Sequence, residues 1–516
     1  MNKKVLMILF LLFTIVASFT IVNAKSIEAP EDIRIGLFYG SKAVEILKLS
    51  SPGGIEIGIM CDGDFEYIDE VSANEELVIT KSDEKGAVHV KGFGDIGSKN
   101  EFPYFRAIED DEMCLIEVNG DTYRGNIEVR RFSDSDMTVI NHLSMQEYLY
   151  GVVPREIGGN SPIEAVKAQA IVARTYATKN YGRREKWGFD LYPTVDDQAY
   201  GGYEWENKNS NKAVDETDGQ VIVYDGELIG GYYFSTSGGY TENSENVWGG
   251  KLDYLKAVPD YYEPEVAGNT TWEVEYTASE VKKKLASYGV DVGEVIDLVP
   301  VEYTDAGRVL ELKIIGTEGE KTLTKANTRT YLGLKSQWYT VNDIAPQAAK
   351  YVEEDLPIKG EDNKLINDNK EEKEALKEST SDEEPTYMNP DYSNDEGKVI
   401  VNKEPKEMKP LLKRIVEAIL NKGQSNEIQE VDDVEEIVKN EKAKFEETEI
   451  KAEEDEIETK KINYKGIKNN STFTFRGRGW GHAVGMSQNG AKGMAEEGFS
   501  CEEIITWYYS GVEVIG

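Results

Sequence analysis

One carboxylate in the chain stands in an unusual setting. The stretch GVVPREIGG, residues 151–159, places Glu156 between a Pro-Arg pair and a Gly-Gly pair, directly after an apolar run. Desolvation against Val152, Val153 and Ile157 would favour the protonated carboxyl group, whereas a nearby helix N-terminus or arginine would favour the ionised form. A general acid needs the first influence to dominate. The sequence leaves that balance open.

A largely apolar helix follows Glu156 and would position it. The stretch SPIEAVKAQAIVARTYATKNYG predicts this helix, with Ser161 at the N-cap, Glu164 completing a capping box and Gly182 at the end. Because apolar residues extend around most of the cylinder, we expect the helix to be buried. Its polar members are therefore candidate site residues: Gln169, Arg174 and Tyr176.

Arg174 has two interpretations, because a buried guanidinium needs a partner. In the first, it ties the helix to a backbone carbonyl or to a core carboxylate. In the second, it faces a cleft together with Glu156. Residue types alone leave both open.

Three glycine-rich stretches combine hydroxyls, amides and aromatic residues: VDDQAYGG (195–202), STSGGYTENSENVWGG (235–250) and RGRGWGHAVGMSQNGA (476–491). Glycine lets backbone approach a ligand closely, aromatic rings offer flat faces, and neutral polar groups offer hydrogen bonds. This combination is typical of sugar recognition, although tight turns between strands would use the same residues. The candidates are Tyr200, Trp248 and Trp480 as platforms, Gln198, Ser237 and Gln488 as polar groups, and His482 as a base or a hydrogen-bonding wall residue.

Several other classes of function are disfavoured. The chain has no G-x-S-x-G motif and no Walker loop, and GRGWGH does not fit the G-x-G-x-x-G pattern of a dinucleotide site. Its three histidines and three cysteines lack the spacing of a zinc site, so we predict no metal. The net charge of −38 argues against nucleic acid as a partner.

The sequence predicts an α+β protein in several parts. MNKK followed by an uncharged apolar run, residues 1–24 in all, is typical of a signal peptide or of a membrane anchor, so the body of the protein is expected to be exported. Residues 25–130 are strand-rich, and residues 131–343 mix one clear buried helix with several strands.

A long acidic segment, residues 344–462, interrupts this second part. Residues 351–460 carry 34 acidic against 17 basic residues, close to half of the net charge. Such a composition cannot bury enough apolar surface to offset chain entropy, which predicts a disordered or partly helical insertion. Residues 463–516 regain a folded composition, and we expect this tail to pack back onto the earlier part.

The motifs resemble one known family. VINHLSMQEYLYGVVPREIGGNSPIEAVKAQAIVARTYA (139–177), VDDQAYGGYEW with YYFSTSGGYTENSENVWGG, and RGRGWGHAVGMSQNGAKGMAEEGFSCEEIITWYYSGVEV are similar to the stage II sporulation protein D (SpoIID) and LytB amidase-enhancer family of peptidoglycan-acting proteins. With YRGNIEVRRF, the resemblance covers most of residues 120–340 and 470–514.

The resemblance implies a lytic transglycosylase. Such an enzyme cleaves the β-1,4 bond between N-acetylmuramic acid and N-acetylglucosamine without water and leaves a 1,6-anhydro end. The family's catalytic glutamate matches Glu156. Family cleft residues match Arg174, Tyr176, Gln198, Ser237, His482 and Gln488, and with Gln169 and Trp480 they make up the predicted substrate-binding set.

The resemblance has departures and alternatives. Some sporulation members hold zinc near the STSGG turn, where this chain has Phe234, Ser237 and Tyr240, so neither metal nor cofactor is expected. The expected partners are glycan strands of peptidoglycan and an N-acetylmuramoyl-L-alanine amidase, with the membrane only through an uncleaved N-terminal segment. A non-catalytic amidase enhancer is the main alternative, and a wall-associated scaffold is the next. The resemblance does not choose between sporulation, division and vegetative wall turnover.

Overall fold

The computed structural model has the mixed α+β architecture expected from the sequence. It describes residues 29–61, 63–109, 113–132, 135–263, 270–342 and 471–516. The predictions for the N-terminal segment 1–24 and for the insertion 344–462 lie outside the described residues. Apart from residues 316–318, the described residues fall in one compact unit. None of the described helices is long and apolar enough to cross a membrane.

Twelve strands form two six-stranded sheets in the N-terminal part. Their residues alternate between buried and exposed, as in Ile46–Ser50, where Leu47 and Leu49 point into the core. Both sheets contribute to one apolar core, which includes Ile57 and Ile79. The strands are β1 (Asp32–Phe38), β2 (Ile46–Ser50), β3 (Ile55–Cys61), β4 (Asp64–Val71), β5 (Leu77–Lys81), β6 (Val88–Val90), β7 (Gly94–Ile96), β8 (Phe102–Ala107), β9 (Leu115–Val118), β10 (Asp121–Arg124), β11 (Asn126–Arg130) and β12 (Thr138–Ser144).

One sheet crosses the domain boundary predicted between residues 130 and 131. Its order is β1-β12-β11-β8-β3-β4, and that of the other sheet is β10-β9-β2-β5-β6-β7. Strand β12 pairs antiparallel with both β1 and β11, so Ile140 lies opposite Gly36 and Glu128. The N-terminal strands and the first residues of the predicted catalytic part therefore share one sheet.

Seven helices are found among the described residues: α1 (Met145–Val153), α2 (Ile163–Lys179), α3 (Lys208–Glu216), α4 (Ala278–Ala286), α5 (Asn327–Thr330), α6 (Gln488–Glu496) and α7 (Cys501–Tyr508). Helix α1 begins directly after β12 with a capping box. The Ser144 hydroxyl accepts a hydrogen bond from the Glu147 amide at 3.2 Å, and the Glu147 carboxylate accepts one from the Ser144 amide at 3.1 Å. The sheet therefore fixes the start of α1.

Helix α2 is buried as expected, but its predicted capping box is wrong. The helix begins at Ile163 after Pro162, without a side-chain cap. The Ser161 hydroxyl instead donates to the carbonyl of Ile157 at 2.8 Å, and Glu164 accepts from the Cys501 amide at 2.9 Å. Ser161 thus closes the turn before α2, and Glu164 joins α2 to the start of α7. The predicted box does not form because Pro162 occupies the N-cap position and has no side-chain acceptor.

The C-terminal tail packs back onto the earlier part, which confirms that prediction. The remaining strands are β13 (Val221–Tyr224), β14 (Glu227–Leu228), β15 (Tyr233–Phe234), β16 (Thr271–Thr277), β17 (Val295–Tyr303), β18 (Val309–Gly316), β19 (Gly319–Thr324), β20 (Tyr339–Val341), β21 (Thr472–Arg478), β22 (Met486–Ser487) and β23 (Glu513–Ile515). Strand β21 lies between β16 and β20, β22 pairs with β15, and β23 pairs with β13.

The points where the described chain stops and resumes around the insertion lie side by side. The Asn342 amide donates to the carbonyl of Thr474 at 2.9 Å, and the Thr474 amide donates to Asn342 Oδ1 at 3.0 Å. This closure allows a long segment to be inserted between β20 and β21 without separating the two strands.

Candidate functional site

Glu156 lies in a short segment between α1 and α2. Residues Pro154–Gly158 form a wider, π-helical turn, a local geometry often found at functional sites. Pro154 and Ile157 are buried, whereas Glu156 remains partly accessible. One of its oxygens, Oε1, accepts a hydrogen bond from the backbone amide of Ala199 at 2.8 Å. The loop after α2 therefore holds the carboxyl group from one side.

Uncharged groups contact the Glu156 carboxyl group from the other sides. Tyr233 makes a side-chain hydrogen bond with Glu156. The Tyr233 oxygen accepts from Gln198 Nε2 at 3.2 Å, and Gln198 Oε1 accepts from the Tyr148 hydroxyl at 3.3 Å. Because Gln198 occupies the acceptor side of the Tyr233 hydroxyl, the Tyr233 proton is available to the carboxyl group.

The C-terminal tail completes this set through Gln488, the first residue of α6. Its Nε2 atom lies 3.5 Å from Glu156 Oε2 and 3.4 Å from Gln169 Oε1. Gln169 is fully buried on α2, and its own Nε2 atom has no hydrogen-bond partner among the described residues. The Gln488 amide therefore links the Glu156 carboxyl group to Gln169 on α2.

The balance that the sequence left open is tilted towards protonation. Burial is the largest influence, and it raises the pKa of Glu156 above its ordinary value. The Ala199 amide, Tyr233, Gln488 and the charge of Arg155 each act in the opposite direction without cancelling it. Burial also raises the pKa of Tyr233 well above its usual range, so Tyr233 remains a donor. This arrangement suits a general acid.

The contacts of Arg174 agree with the first interpretation given above, in which it ties the helix to backbone carbonyls. Its guanidinium is almost fully buried and donates to the carbonyls of Gln220 at 3.2 Å and Val214 at 3.3 Å, and to Gln146 Oε1 at 3.3 Å. Burial lowers the pKa of Arg174 to about 10, which leaves it charged at neutral pH. Among the described residues it makes no contact with Glu156, and it ties α2 to the end of α3 instead.

Tyr176 lies one layer behind the site. Its hydroxyl donates to Asp197 Oδ1 at 3.3 Å, and Asp197 also accepts from Arg184 at 3.0 Å and from the Tyr192 amide at 2.9 Å. Asp197 directly precedes Gln198, so this network orients the loop that carries Gln198 and Ala199.

Ser237 belongs to a separate, sealed carboxylate cluster. Glu263, 1% exposed, accepts hydrogen bonds from the amides of Ser237 and Gly238 and from the Ser487 hydroxyl, the last two at 2.7 and 2.9 Å. Asp260, 2% exposed, accepts from the Tyr508 hydroxyl at 2.8 Å. Burial, followed by the charge of Glu263, raises the pKa of Asp260 to about 8.

His482 and Trp480 pack against other aromatic and basic side chains. The His482 ring packs between Phe234 and Trp248, with centroid distances of 5.5 and 5.0 Å, and its Nδ1 accepts from the Val484 amide at 3.1 Å. Burial lowers the pKa of His482 to about 3, so the ring is neutral at ordinary pH. The Lys335 ammonium lies 4.0 Å from the centre of the Trp480 ring.

The sequence missed three groups of the site. Tyr148 was visible as a tyrosine in an apolar stretch that otherwise packs into the core, and this was a usable signal. Tyr233 stands instead in the glycine- and hydroxyl-rich run GGYYFSTS. The platform candidate Tyr200, in contrast, is buried and donates to Asn141 Oδ1 at 2.8 Å. Ala199 takes part through its backbone amide alone, which no side-chain pattern can reveal. Among the described residues, no cluster of three His, Cys, Asp or Glu side chains could hold a metal ion.

The fold and the site together describe an α+β protein with a partly accessible, protonatable carboxyl group among tyrosine and amide side chains. Residues 133–224 match the family model described as stage II sporulation protein (SpoIID), and this part of the chain is therefore similar to that family. Residues 262–354 match a domain of unknown function (DUF8618).

Three relatives match parts of the chain. The chain is 42% identical over 123 residues to the amidase enhancer of Bacillus subtilis, covering 24% of this chain and 16% of that protein. It is 31% identical over 215 residues to stage II sporulation protein D of Bacillus subtilis, covering 38% and 60%. An uncharacterised protein of Brachyspira hyodysenteriae is 33% identical over 198 residues, covering 38% and 53%. The chain thus spans between about a sixth and three fifths of these relatives.

Proposed function

We propose that this protein is an exported peptidoglycan lytic transglycosylase in which Glu156 is the catalytic acid and base. The observation that carries the proposal is the raised pKa of a partly accessible Glu156 whose hydrogen-bond partners are all uncharged. The names of two relatives, an amidase enhancer and a stage II sporulation protein D, support a role at the cell wall.

The proposed reaction uses one carboxyl group twice. Protonated Glu156 donates its proton to the glycosidic oxygen as the bond from that oxygen to C1 of N-acetylmuramic acid breaks. The resulting carboxylate then takes the proton of the C6 hydroxyl as O6 bonds to C1, which yields the 1,6-anhydro end and restores the acid. A tethered nucleophile needs little activation, because proximity supplies about 7 to 11 kcal/mol in the best intramolecular reactions.

The surroundings of Glu156 fit this cycle better than they fit hydrolysis. Ordinary glycosidases use two carboxyl groups, one as the acid and one as the base or nucleophile. Among the described residues, none of the groups that hydrogen-bond to Glu156 is a carboxylate. Tyr233 and Gln488 would instead stabilise the transient Glu156 carboxylate by hydrogen bonds.

The test is the release of 1,6-anhydro-muramic products from purified glycan strands, with and without stem peptides, followed by mass spectrometry. We expect the products to form and Glu156→Gln to reduce their rate by about 10² to 10⁴. Glu204→Gln is the matched control, because Glu204 is an exposed carboxylate on the neighbouring turn. A folded protein that releases no such product from either substrate would refute the enzyme assignment.

A second candidate is a non-catalytic enhancer of an N-acetylmuramoyl-L-alanine amidase. The observation that favours it is the 42% identity to the amidase enhancer. In this case the full chain would increase the rate of an added amidase, and Glu156→Gln would retain the whole increase. Stimulation that disappears in Glu156→Gln, together with anhydro products from the unaltered chain, would instead favour the enzyme.

A further inference from the structure

Arg155, the residue next to Glu156, is exposed and makes neither a hydrogen bond nor an ion pair within the described part of the chain. Its guanidinium carbon lies 3.9 Å from the centre of the Trp205 ring. Trp205 is itself 47% exposed, an unusually large exposed aromatic surface for a residue this close to the site.

Neighbouring arginines are engaged with acidic groups or carbonyls. Arg124 pairs with Glu206 at 2.5 Å, and Arg184 pairs with Asp197 at 3.0 Å. The chain has 96 acidic residues against 58 basic ones, and Arg155 is paired neither with an acidic residue nor with a carbonyl within the described residues. The charge of Arg155 also acts on Glu156, whose pKa it lowers. Arg155 therefore places an uncommitted positive charge at the reacting group.

The stacked geometry leaves the hydrogen-bonding edge of Arg155 available. An aromatic ring covers the face of a guanidinium, whereas its five N–H donors lie in the plane of the group. This planar fork matches a carboxylate in a two-point hydrogen-bonded pair. Stacking on Trp205 also limits the rotamers of Arg155, which reduces the entropy lost when a ligand binds.

The Trp205 ring is held by the same loop that holds Glu156. Ala199 donates its amide to Glu156 at 2.8 Å. Two residues later, the Gly201 amide donates to the carbonyl of Gly151 at 3.1 Å. A side chain at Gly201 would collide with the Trp205 indole, so the glycine allows the ring to pack closely. The platform and the carboxyl group are thus positioned together.

We propose that Arg155 and Trp205 form a subsite beside Glu156 that binds a carboxylate of the glycan substrate. The subsite deepens the proposed function and rests on it for the nature of the glycan. Two carboxylates of peptidoglycan share this chemistry: the lactyl carboxylate of N-acetylmuramic acid, which is free when the stem peptide has been removed, and the carboxylates of the stem peptide itself.

The test measures binding rather than turnover, with the full chain carrying Glu156→Gln so that the ligand stays intact. Peptide-free glycan strands are compared with the same strands after their carboxylates have been converted to amides. We expect the acidic strands to bind about tenfold more tightly, the worth of a hydrogen bond to a charged group. Adding Arg155→Gln should abolish this preference and leave the affinity for amidated strands unchanged.

Two further variants and one control sharpen the result. Arg155→Lys retains the charge without the planar fork and should keep only about a third of the preference. Trp205→Ala should reduce the preference more than Trp205→Phe does. Arg106→Gln is the control, because the Arg106 guanidinium stacks at 4.0 Å on Phe65 in the N-terminal sheets and should leave binding unchanged.

The outcomes identify the carboxylate. A preference that depends on Arg155 for peptide-free strands assigns the lactyl carboxylate. Dependence only with peptide-bearing strands assigns the stem peptide. A preference that survives Arg155→Gln with both ligands overturns the subsite. If the unaltered chain releases no anhydro product but binding still depends on Arg155, the enzyme assignment fails and the subsite stands.

Discussion

Two carboxylate sites in this protein, the single carboxyl group of Glu156 and the pair Glu263 and Asp260, differ in their access to solvent. Glu156 is partly accessible, and its contact with Gln488 is a long one at 3.5 Å. Glu263 and Asp260 are at most 2% exposed, and Glu263 accepts hydrogen bonds from Gly238 at 2.7 Å and from Ser487 at 2.9 Å. Burial raises the pKa in both regions, for Glu156 and for Asp260.

The difference shows that a raised pKa alone does not define a catalytic site. A sealed carboxylate with short hydrogen bonds holds segments together, because each bond would leave an unsatisfied donor if it were broken. Glu263 joins the turn at Ser237 to Ser487, the N-cap of α6, and therefore fixes the helix that carries Gln488. An accessible carboxyl group with weaker partners can instead exchange its proton with a ligand.

The largest expected effect is on stability at the sealed cluster. Glu263→Ala removes the acceptor for two amides and one hydroxyl, and we expect the free energy of unfolding to fall by about 3 to 5 kcal/mol. Urea unfolding followed by circular dichroism measures this change. A loss below about 1 kcal/mol would show that the cluster is not what joins these segments.

The pH dependence of stability should identify Asp260. Its pKa is raised from 3.8 to about 8 in the folded protein, so between those values the folded state binds more protons than the unfolded state. Stability from this group is complete below about pH 4 and is lost as the pH rises through 8, at roughly 1 kcal/mol per pH unit. Asp260→Asn should make the urea unfolding midpoint less dependent on pH between pH 6 and pH 8. A midpoint that changes with pH as steeply as in the unaltered protein would contradict the raised pKa of Asp260.

A smaller effect, on the reaction rate, is expected at Glu156 when Tyr233 loses its hydroxyl group. Tyr233→Phe removes a donor to Glu156 and should reduce the rate of anhydro product formation about tenfold. Because this hydrogen bond lowers the pKa of Glu156, its loss should raise the pH at which the reaction rate falls as Glu156 loses its proton, the limb of the pH–rate profile assigned to Glu156. Tyr181→Phe, at an exposed tyrosine elsewhere, serves as the control. A rate change without a shift of the limb would assign Tyr233 to substrate binding alone.

The smallest expected effect is that of Glu156→Gln on stability. Because burial raises the pKa of Glu156, the ionised group opposes folding at pH 7, and the neutral amide should increase the unfolding free energy by less than about 1 kcal/mol. The gain should disappear near pH 4, where the carboxyl group is protonated in both states. A clear destabilisation by this substitution at pH 7 would remove the contrast with Glu263.

Local patterns predicted much of the fold and half of the site. Alternating residues marked the strands, and the alanine-rich run marked α2 as buried, since both follow from the repeat of the backbone itself. Glu156, Gln169, Gln198 and Gln488 were chosen from the sequence and meet in the structure. Arg174 was left with two interpretations, because burial does not say which partner a guanidinium finds.

What the sequence determined by itself is the chemistry available: one carboxyl group in an apolar, glycine-flanked stretch, and amide and aromatic residues in three loops. The tertiary structure decided which of these groups meet. Gln488 lies 332 positions from Glu156 in the chain and reaches it because β22 pairs with β15 and starts α6 beside α2. The pKa of Glu156 depends on the same packing, because desolvation arises only when distant segments exclude water from one side chain.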